Sequence, residues 1–276
     1  MTKGSDQIYL LNNQYRDAVN LSARINLHTR FTTNPYDWFQ FIFDHFNLPD
    51  NATLVELGCG PGMLWVRNLE RIPPCWDITL SDFSPGMLEE AQKNLVLSSH
   101  HFKFELIDAQ RLPIQDENLD AVVANHMLYH VPDRPRAFSE IHRVLKPGGF
   151  LFAATNGEKH LMELRAFYEH LKPELSFNHE FDHTFSASAF TLENGPDQLS
   201  PWFTTVVNHY EDALMITETE PLVAYLLSMI PPDDFQISQQ QIATLSREIE
   251  TQIQNEGGIY ISKSSGLLIA QKKDIL

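Results

Sequence analysis

A chain of 276 residues, 43% apolar and 20% charged, is long enough for one elaborated globular domain with a substantial core. Its 20 Lys and Arg against 36 Asp and Glu give a formal charge of −16, so no nucleic-acid partner is expected, because extended contact with a phosphate backbone needs clustered cations. Two cysteines (Cys59 and Cys75), no secretory leader and no apolar run near the roughly 20 residues that span a bilayer predict a cytoplasmic protein with no membrane partner and no bound metal.

From residue 8 the chain contains no strong helix breaker until Asn34-Pro35. Leu21, Arg24, Ile25 and His28 recur at helical spacing, and Trp38, Phe39, Ile42, Phe43 and Phe46 form a second, core-facing stripe, so residues 1–50 are expected to form an N-terminal helical cap. Arg24 and His28, one turn apart, read either as a solvated face or as a cationic pair that meets a carboxylate.

From Thr53 the apolar period alternates between strand and helix. Leu54–Leu57 is strand one, and a helix after Gly62 carries Met63, Leu64, Val66 and Leu69 as far as Pro73-Pro74. Ile78–Leu80 is strand two, closing at Asp82. Ser84 caps a helix with Pro85 at its first position and Met87, Leu88, Ala91 and Leu95 inward. Phe102–Ile107 is strand three, ending at Asp108, and Leu119–Ala124 is a nearly unbroken apolar run, as in a strand covered on both faces. A helix from Arg134 to Leu145 stops at the turn signal Lys146-Pro147-Gly148-Gly149, before strand five at Phe150–Thr155. Beyond a helix at 159–171, residues 172–200 show little period and are expected to form a partly irregular insertion, with His179, Phe181, His183 and Phe185 as candidates to line a substrate lid. Phe203–Leu214 reads as a strand, Thr217–Leu227 and Ile237–Ile253 as helices, and 259–270 as a last strand. This alternation predicts an α/β fold with a parallel, doubly wound sheet.

The chemistry concentrates at Thr53–Gly62. Gly58, Gly60 and Gly62 fall within five residues directly after a strand, where backbone must take positive φ and leave room for a ligand. A dinucleotide fingerprint reads GxGxxG, whereas here the spacing is GxGxG, Met63 stands where the third glycine belongs, and Pro61 removes an N–H that a pyrophosphate needs. A ligand with one ribose and no pyrophosphate fits better. Glu56 lies near the end of strand one, and Asp82 and Asp108 close the next two; Asp82 is placed to accept from both ribose hydroxyls.

The segments VELGCGPG, LSDFSPGMLEEA, ELIDAQRLPIQDENLDAVVANHMLYHV and RVLKPGGFLF, in this order and spacing over residues 50–156, resemble the class I S-adenosylmethionine-dependent methyltransferases, and among them the ubiquinone/menaquinone-biosynthesis-like group that acts mostly on small molecules. The resemblance implies a Rossmann-like sheet of seven strands, the last antiparallel, within a methyltransferase domain at 51–276 that carries a lid or insertion at about 172–200. It implies S-adenosyl-L-methionine as cofactor and S-adenosyl-L-homocysteine as product. By position it places Gly58, Gly60 and Gly62 near the methionine part, Asp82 on the ribose hydroxyls, and Phe83 and Met87 beside the adenine, with Glu56 and Cys59 also among the cofactor-binding residues. Asp108 and Ala109 fall at the adenine edge, and Asn125 by the methionine and sulfonium. Arg24 and His28, by analogy, meet the cofactor's carboxylate.

Methyl transfer from a sulfonium needs in-line placement and exclusion of water, with a base useful only when the nucleophile must lose a proton. His126 and His130, with Tyr129 between them, lie where the acceptor would enter; pocket shaping is the preferred reading, and His130 and Tyr129 are the candidates for a base. The turn Asn125-His126-Met127-Leu128 is not the Asn/Asp-Pro-Pro-aromatic turn of exocyclic-amine methylation, and neither cysteine has the Pro-Cys context of carbon-5 cytosine chemistry. The remaining histidines show no metal spacing. The reading is therefore methyl transfer to a small-molecule acceptor at oxygen, nitrogen, carbon or sulfur, by a monomer or a dimer. The alternatives are a cofactor-binding sensor or non-catalytic partner subunit of the same fold and, against the GxGxG spacing, a nicotinamide dehydrogenase.

Overall fold

The structure, a computed structural model, describes residues 18–171, 189–228 and 237–274. In chain order its elements are α1 (Ala18–Phe31), α2 (Trp38–Asp44), β1 (Thr53–Leu57), α3 (Met63–Val66), β2 (Asp77–Asp82), α4 (Pro85–Leu95), β3 (Phe102–Leu106), β4 (Leu119–Asn125), α5 (Arg134–Val144) and β5 (Leu145–Asn156), followed by α6 (Met162–Leu171), α7 (Gly195–Leu199), β6 (Phe203–Ile216), α8 (Thr219–Ser228), α9 (Gln239–Glu256) and β7 (Ile259–Lys272). The seven strands form one sheet in the order β3-β2-β1-β4-β5-β7-β6. Pairings among β1 to β5 are parallel and β5 pairs β7 antiparallel, with Phe150 opposite Gln271 and Asn156 opposite Ser265, as expected for the last strand.

The described chain falls into two compact units, one of residues 36–158, 189–210 and 265–274, the other of 18–35, 159–171, 211–228 and 237–264. In the first, strand period 2 sorts side chains onto the two faces of the sheet. Val55, Leu57, Val122, Ala124, Leu151 and Ala153 pack with Ala137, Phe138 and Ile141 of α5. The alternate residues Leu54, Ala121, Val123, Phe152 and Ala154 pack instead with Ile42 and Phe43 of α2, Leu64 and Trp65 of α3, and Leu88 and Ala91 of α4. Helices on both faces explain why β4 reads as an unbroken apolar run.

The second unit has its own core, built by Leu27 and Phe31 of α1, Leu164 of α6, Leu222 and Leu226 of α8, and Leu245 and Ile249 of α9. Its charged centre is Asp212, whose side chain is 1% exposed and pairs with Lys263. One Asp212 carboxylate oxygen also accepts from the Thr32 hydroxyl at 2.8 Å and from the backbone N–H groups of Thr33 and Asn34 at 3.2 and 3.1 Å. These partners hold the Asp212 carboxyl below its usual range against the effect of burial.

Three local expectations change. The helix after Gly62 ends at Val66, and a 3-10 turn at Leu69–Arg71 follows before the prolines. Pro147-Gly148-Gly149 lies within β5 as an irregularity opposite β4, where Leu119 faces Leu145 but Ala121 faces Phe150. A Cβ on Gly149 would stand 3.0 Å from Lys146 O and 3.1 Å from Asp120 O, so only glycine permits that approach of backbones. Residues 195–199 within the expected irregular stretch form α7, with Pro196 in its first turn. His179, Phe181, His183 and Phe185 lie outside the described residues.

Candidate functional site

Strand order fixes where a ligand can sit. The chain runs outward from β1 to β2 to β3, then returns to lay β4 on the other side of β1. Ligands of open α/β sheets bind outside the carboxyl ends of the strands at such a reversal. Beyond the end of β1 lies the glycine turn, and beyond the end of β4 lies the segment from Asn125 to His130.

All three turn glycines adopt positive φ, at 67° for Gly58, 51° for Gly60 and 76° for Gly62. Gly62 in this left-handed conformation is the N-cap of α3. A Cβ on Gly58 would stand 2.9 Å from Met127 Cβ, whereas one on Gly60 would meet nothing within 4 Å. Gly58 is thus required by packing, and Gly60 borders open space. The turn is tied to β2: Cys59 N–H donates to Ser81 O at 2.8 Å, and Gly60 N–H donates to Asp82 Oδ2 at 2.9 Å. Ser84 N–H donates to the other carboxylate oxygen, Oδ1, at 2.8 Å. Each Asp82 oxygen therefore accepts one backbone N–H and keeps acceptor capacity for a ligand. Burial pushes the Asp82 carboxyl upward against these bonds. Burial also pushes the Cys59 thiol far up, which makes it a packing group rather than a nucleophile.

Asp108 lies two residues past the end of β3, and Ile107 N–H donates to Asp82 O, so the two acids occupy neighbouring strand ends. Asp108 Oδ1 accepts from Gln110 N–H at 2.9 Å. Ala109 and Met87 are buried, whereas Phe83 is 39% exposed.

The last component spans β1 and β4. Period 2 puts Glu56 on the face of Leu54, and Asn125 on the face of Ala121 and Val123, so both point toward the α3 side. Glu56 is buried; its Oε2 accepts from Trp65 Nε1 at 2.6 Å and its Oε1 from Asn125 Nδ2 at 2.9 Å. Burial outweighs these two bonds and lifts the Glu56 carboxyl to about 8. Asn125 Oδ1 is buried with no hydrogen-bond partner in the protein, a cost that persists only where something else supplies a donor. Sequence reasoning placed Glu56 and Asn125 but missed Trp65; the available signal was a carboxylate inside an apolar strand, which requires a buried donor nearby.

In the turn after β4, His126 has φ of 50°, rare for a residue with a side chain, and its N–H donates to Ala154 O at 2.9 Å. Its ring lies 5.6 Å from Trp38, which in turn makes an edge contact with Tyr210 at 5.0 Å. Part of the aromatic stripe read as core thus abuts the segment after β4. Tyr129 and His130 sit in a 3-10 turn with their rings 4.5 Å apart, edge to face, both half-buried. Arg24 and His28 belong to the second unit, where Arg24 Nη2 donates to Ser228 O at 2.8 Å and His28 makes an edge contact with Tyr225 at 5.9 Å. No group of three metal-ligating side chains occurs among the described residues, and no helix there is long and apolar enough to cross a membrane.

Part of the chain resembles known proteins. Residues 55–153 match the methyltransferase domain family. It is similar to the ubiquinone/menaquinone biosynthesis C-methyltransferase UbiE of Desulfotalea psychrophila, 30% identical over 47% of this chain and 52% of that protein. It is also similar to the biotin biosynthesis bifunctional protein BioHC of Saccharophagus degradans, 35% identical over 43% of this chain and 21% of that protein. The chain spans about half or less of the length of these curated relatives. Among solved structures, phosphoethanolamine N-methyltransferase 2 of Haemonchus contortus in complex with S-adenosyl-L-methionine shares the fold, with a TM-score of 0.58 at 16% identity over 99% of this chain and 61% of that one.

Proposed function

We propose that this protein transfers the methyl group of S-adenosylmethionine to a small-molecule acceptor. The observation that carries the reading is the orphaned acceptor Asn125 Oδ1, held by Glu56 across the strand reversal and completed by the open Gly60 turn and the strand-end acid Asp82. A nucleoside with an ammonium-bearing tail fits this set: hydroxyl donors for Asp82, a donor for Asn125 Oδ1, and a chain that passes Gly60 without meeting a Cβ. Glu56, Gly58, Cys59 and Gly62 hold the turn in shape, and Phe83, Met87, Asp108 and Ala109 are assigned to the adenine.

The cofactor supplies a methyl group on a sulfonium, which is a good leaving group. The protein then has to place the acceptor in line and keep water out. The segment from His126 to His130 is assigned to the acceptor, with Tyr129 and His130 shaping its pocket. Incubating the purified protein with methyl-labelled cofactor and a metabolite extract tests the proposal. The expected result is a labelled small molecule, with less label from Asp82→Asn at limiting cofactor. Cofactor binding without labelled product across broad extracts would favour a sensor or partner subunit.

A further inference from the structure

The bonds around Glu56 dictate more than a place for a ligand. The Trp65 indole N–H is a donor and nothing else, so Glu56 Oε2 acts as an acceptor. Asn125 presents its NH2 to Oε1, which makes that oxygen an acceptor as well. This arrangement is that of an ionised carboxylate, and it turns Asn125 Oδ1 away from Glu56 as a buried, unsatisfied acceptor. The alternative arrangement is complementary. A protonated Glu56 donates its O–H to Asn125 Oδ1, the amide turns over, and its NH2 faces away from Glu56 as a donor. An ammonium carries three donors and no acceptor, so it binds the first arrangement and is refused by the second.

We infer that Glu56 and Asn125 form a proton-coupled latch for the ammonium group of the cofactor, which binds only to the ionised pair and so expels one proton to solvent. The inference rests on the proposed cofactor. Besides Trp65 and Asn125, the groups that act on Glu56 are Asp82, whose charge opposes ionisation, and Cys59, whose thiol burial keeps neutral. The bonds seen are thus those of the ligand-ready arrangement; without ligand, burial among neutral donors favours the protonated carboxyl and the turned amide up to a pH of about 8. Binding near neutral pH must therefore remove that proton, and the cost shows as a pH-dependent affinity. Trp65 acts through Glu56 as a positioning residue: its N–H stabilises the charged form and therefore the amide orientation that accepts an ammonium.

Calorimetric titration of the full chain with S-adenosylhomocysteine, in buffers of different ionisation enthalpy, reads the proton directly. The expected result is release of about one proton per ligand near pH 7, with affinity rising about tenfold per pH unit up to about pH 8 and levelling above it. 5′-Methylthioadenosine, which keeps the nucleoside and the sulfur but lacks the ammonium, should bind the same protein with no release. Glu56→Gln should abolish both the release and the slope, and Trp65→Phe should move the levelling to higher pH. Binding of S-adenosylhomocysteine with no proton release, or equal release with 5′-methylthioadenosine, would overturn the latch alone. No binding of S-adenosylhomocysteine at all would overturn the cofactor reading and the latch with it.

Discussion

Gly58 and Gly60 share a turn and a sign of φ but answer to different forces. Alanine at either site is strained by about 1–2 kcal/mol in the left-handed region. At Gly58 the new Cβ also collides with Met127 Cβ at 2.9 Å, adding about 1–3 kcal/mol of overpacking. Gly58→Ala is therefore expected to lower the thermal midpoint markedly, and Gly60→Ala only slightly. The order reverses for ligand affinity, because the Cβ of Gly60→Ala would occupy the open space beside Asp82. Melting curves and S-adenosylhomocysteine titrations of the two variants check this; equal thermal losses would refute the division of roles. At this scale the sequence was most informative where a residue's chemistry admits few uses. Asp82 after an apolar strand, downstream of three clustered glycines, could be read without coordinates. The bond between Trp65 and Glu56 could not, because two buried polar groups nine positions apart do not announce their orientation.

The decisive element is β4 with the turn after it. Val122, Val123 and Ala124 are buried on both sides, so the strand end is rigid, and it presents Asn125 and the strained His126 as fixed points. Tyr129 and His130 follow in a single 3-10 turn. If they shape the pocket, His130→Ala and Tyr129→Phe should raise KM for the acceptor with kcat reduced less than about tenfold, and the pH profile of kcat should keep its form. A loss of kcat of about 100-fold or more, together with a vanished ionisation in the profile, would make one of them the general base. The strands were legible as short apolar runs bounded by turn signals, and helix α4 because Ser84-Pro85 is a local start signal. The break after α3 and the irregularity inside β5 were not. Both depend on what the neighbouring strand or helix presents, as when Asp120 O crowds Gly149.

For the whole molecule, the sheet order carries the functional argument. Seven strands and an antiparallel last strand follow the resemblance stated from four short motifs, whereas the reversal between β1 and β4 is read from the structure. Those motifs lie within the portion that matches the methyltransferase domain family, and the site built from them is the legible part. The proposed acceptor side draws on less patterned sequence. Trp38 and Tyr210 reach their partners from α2 and β6, contacts of long sequence separation that periodicity does not encode. Arg24 finds Ser228 in the same way, 204 positions along the chain.

The central claim, that the turn at Gly58–Gly62 together with Asp82 and Asn125 seats S-adenosylmethionine, is tested most directly by an equilibrium titration of the purified chain with S-adenosylhomocysteine and, separately, with NADH. The account predicts saturable binding of one S-adenosylhomocysteine per chain, weakened at least about tenfold by Asp82→Asn, with no competition from NADH. Tight binding of NADH with no binding of S-adenosylhomocysteine would contradict it.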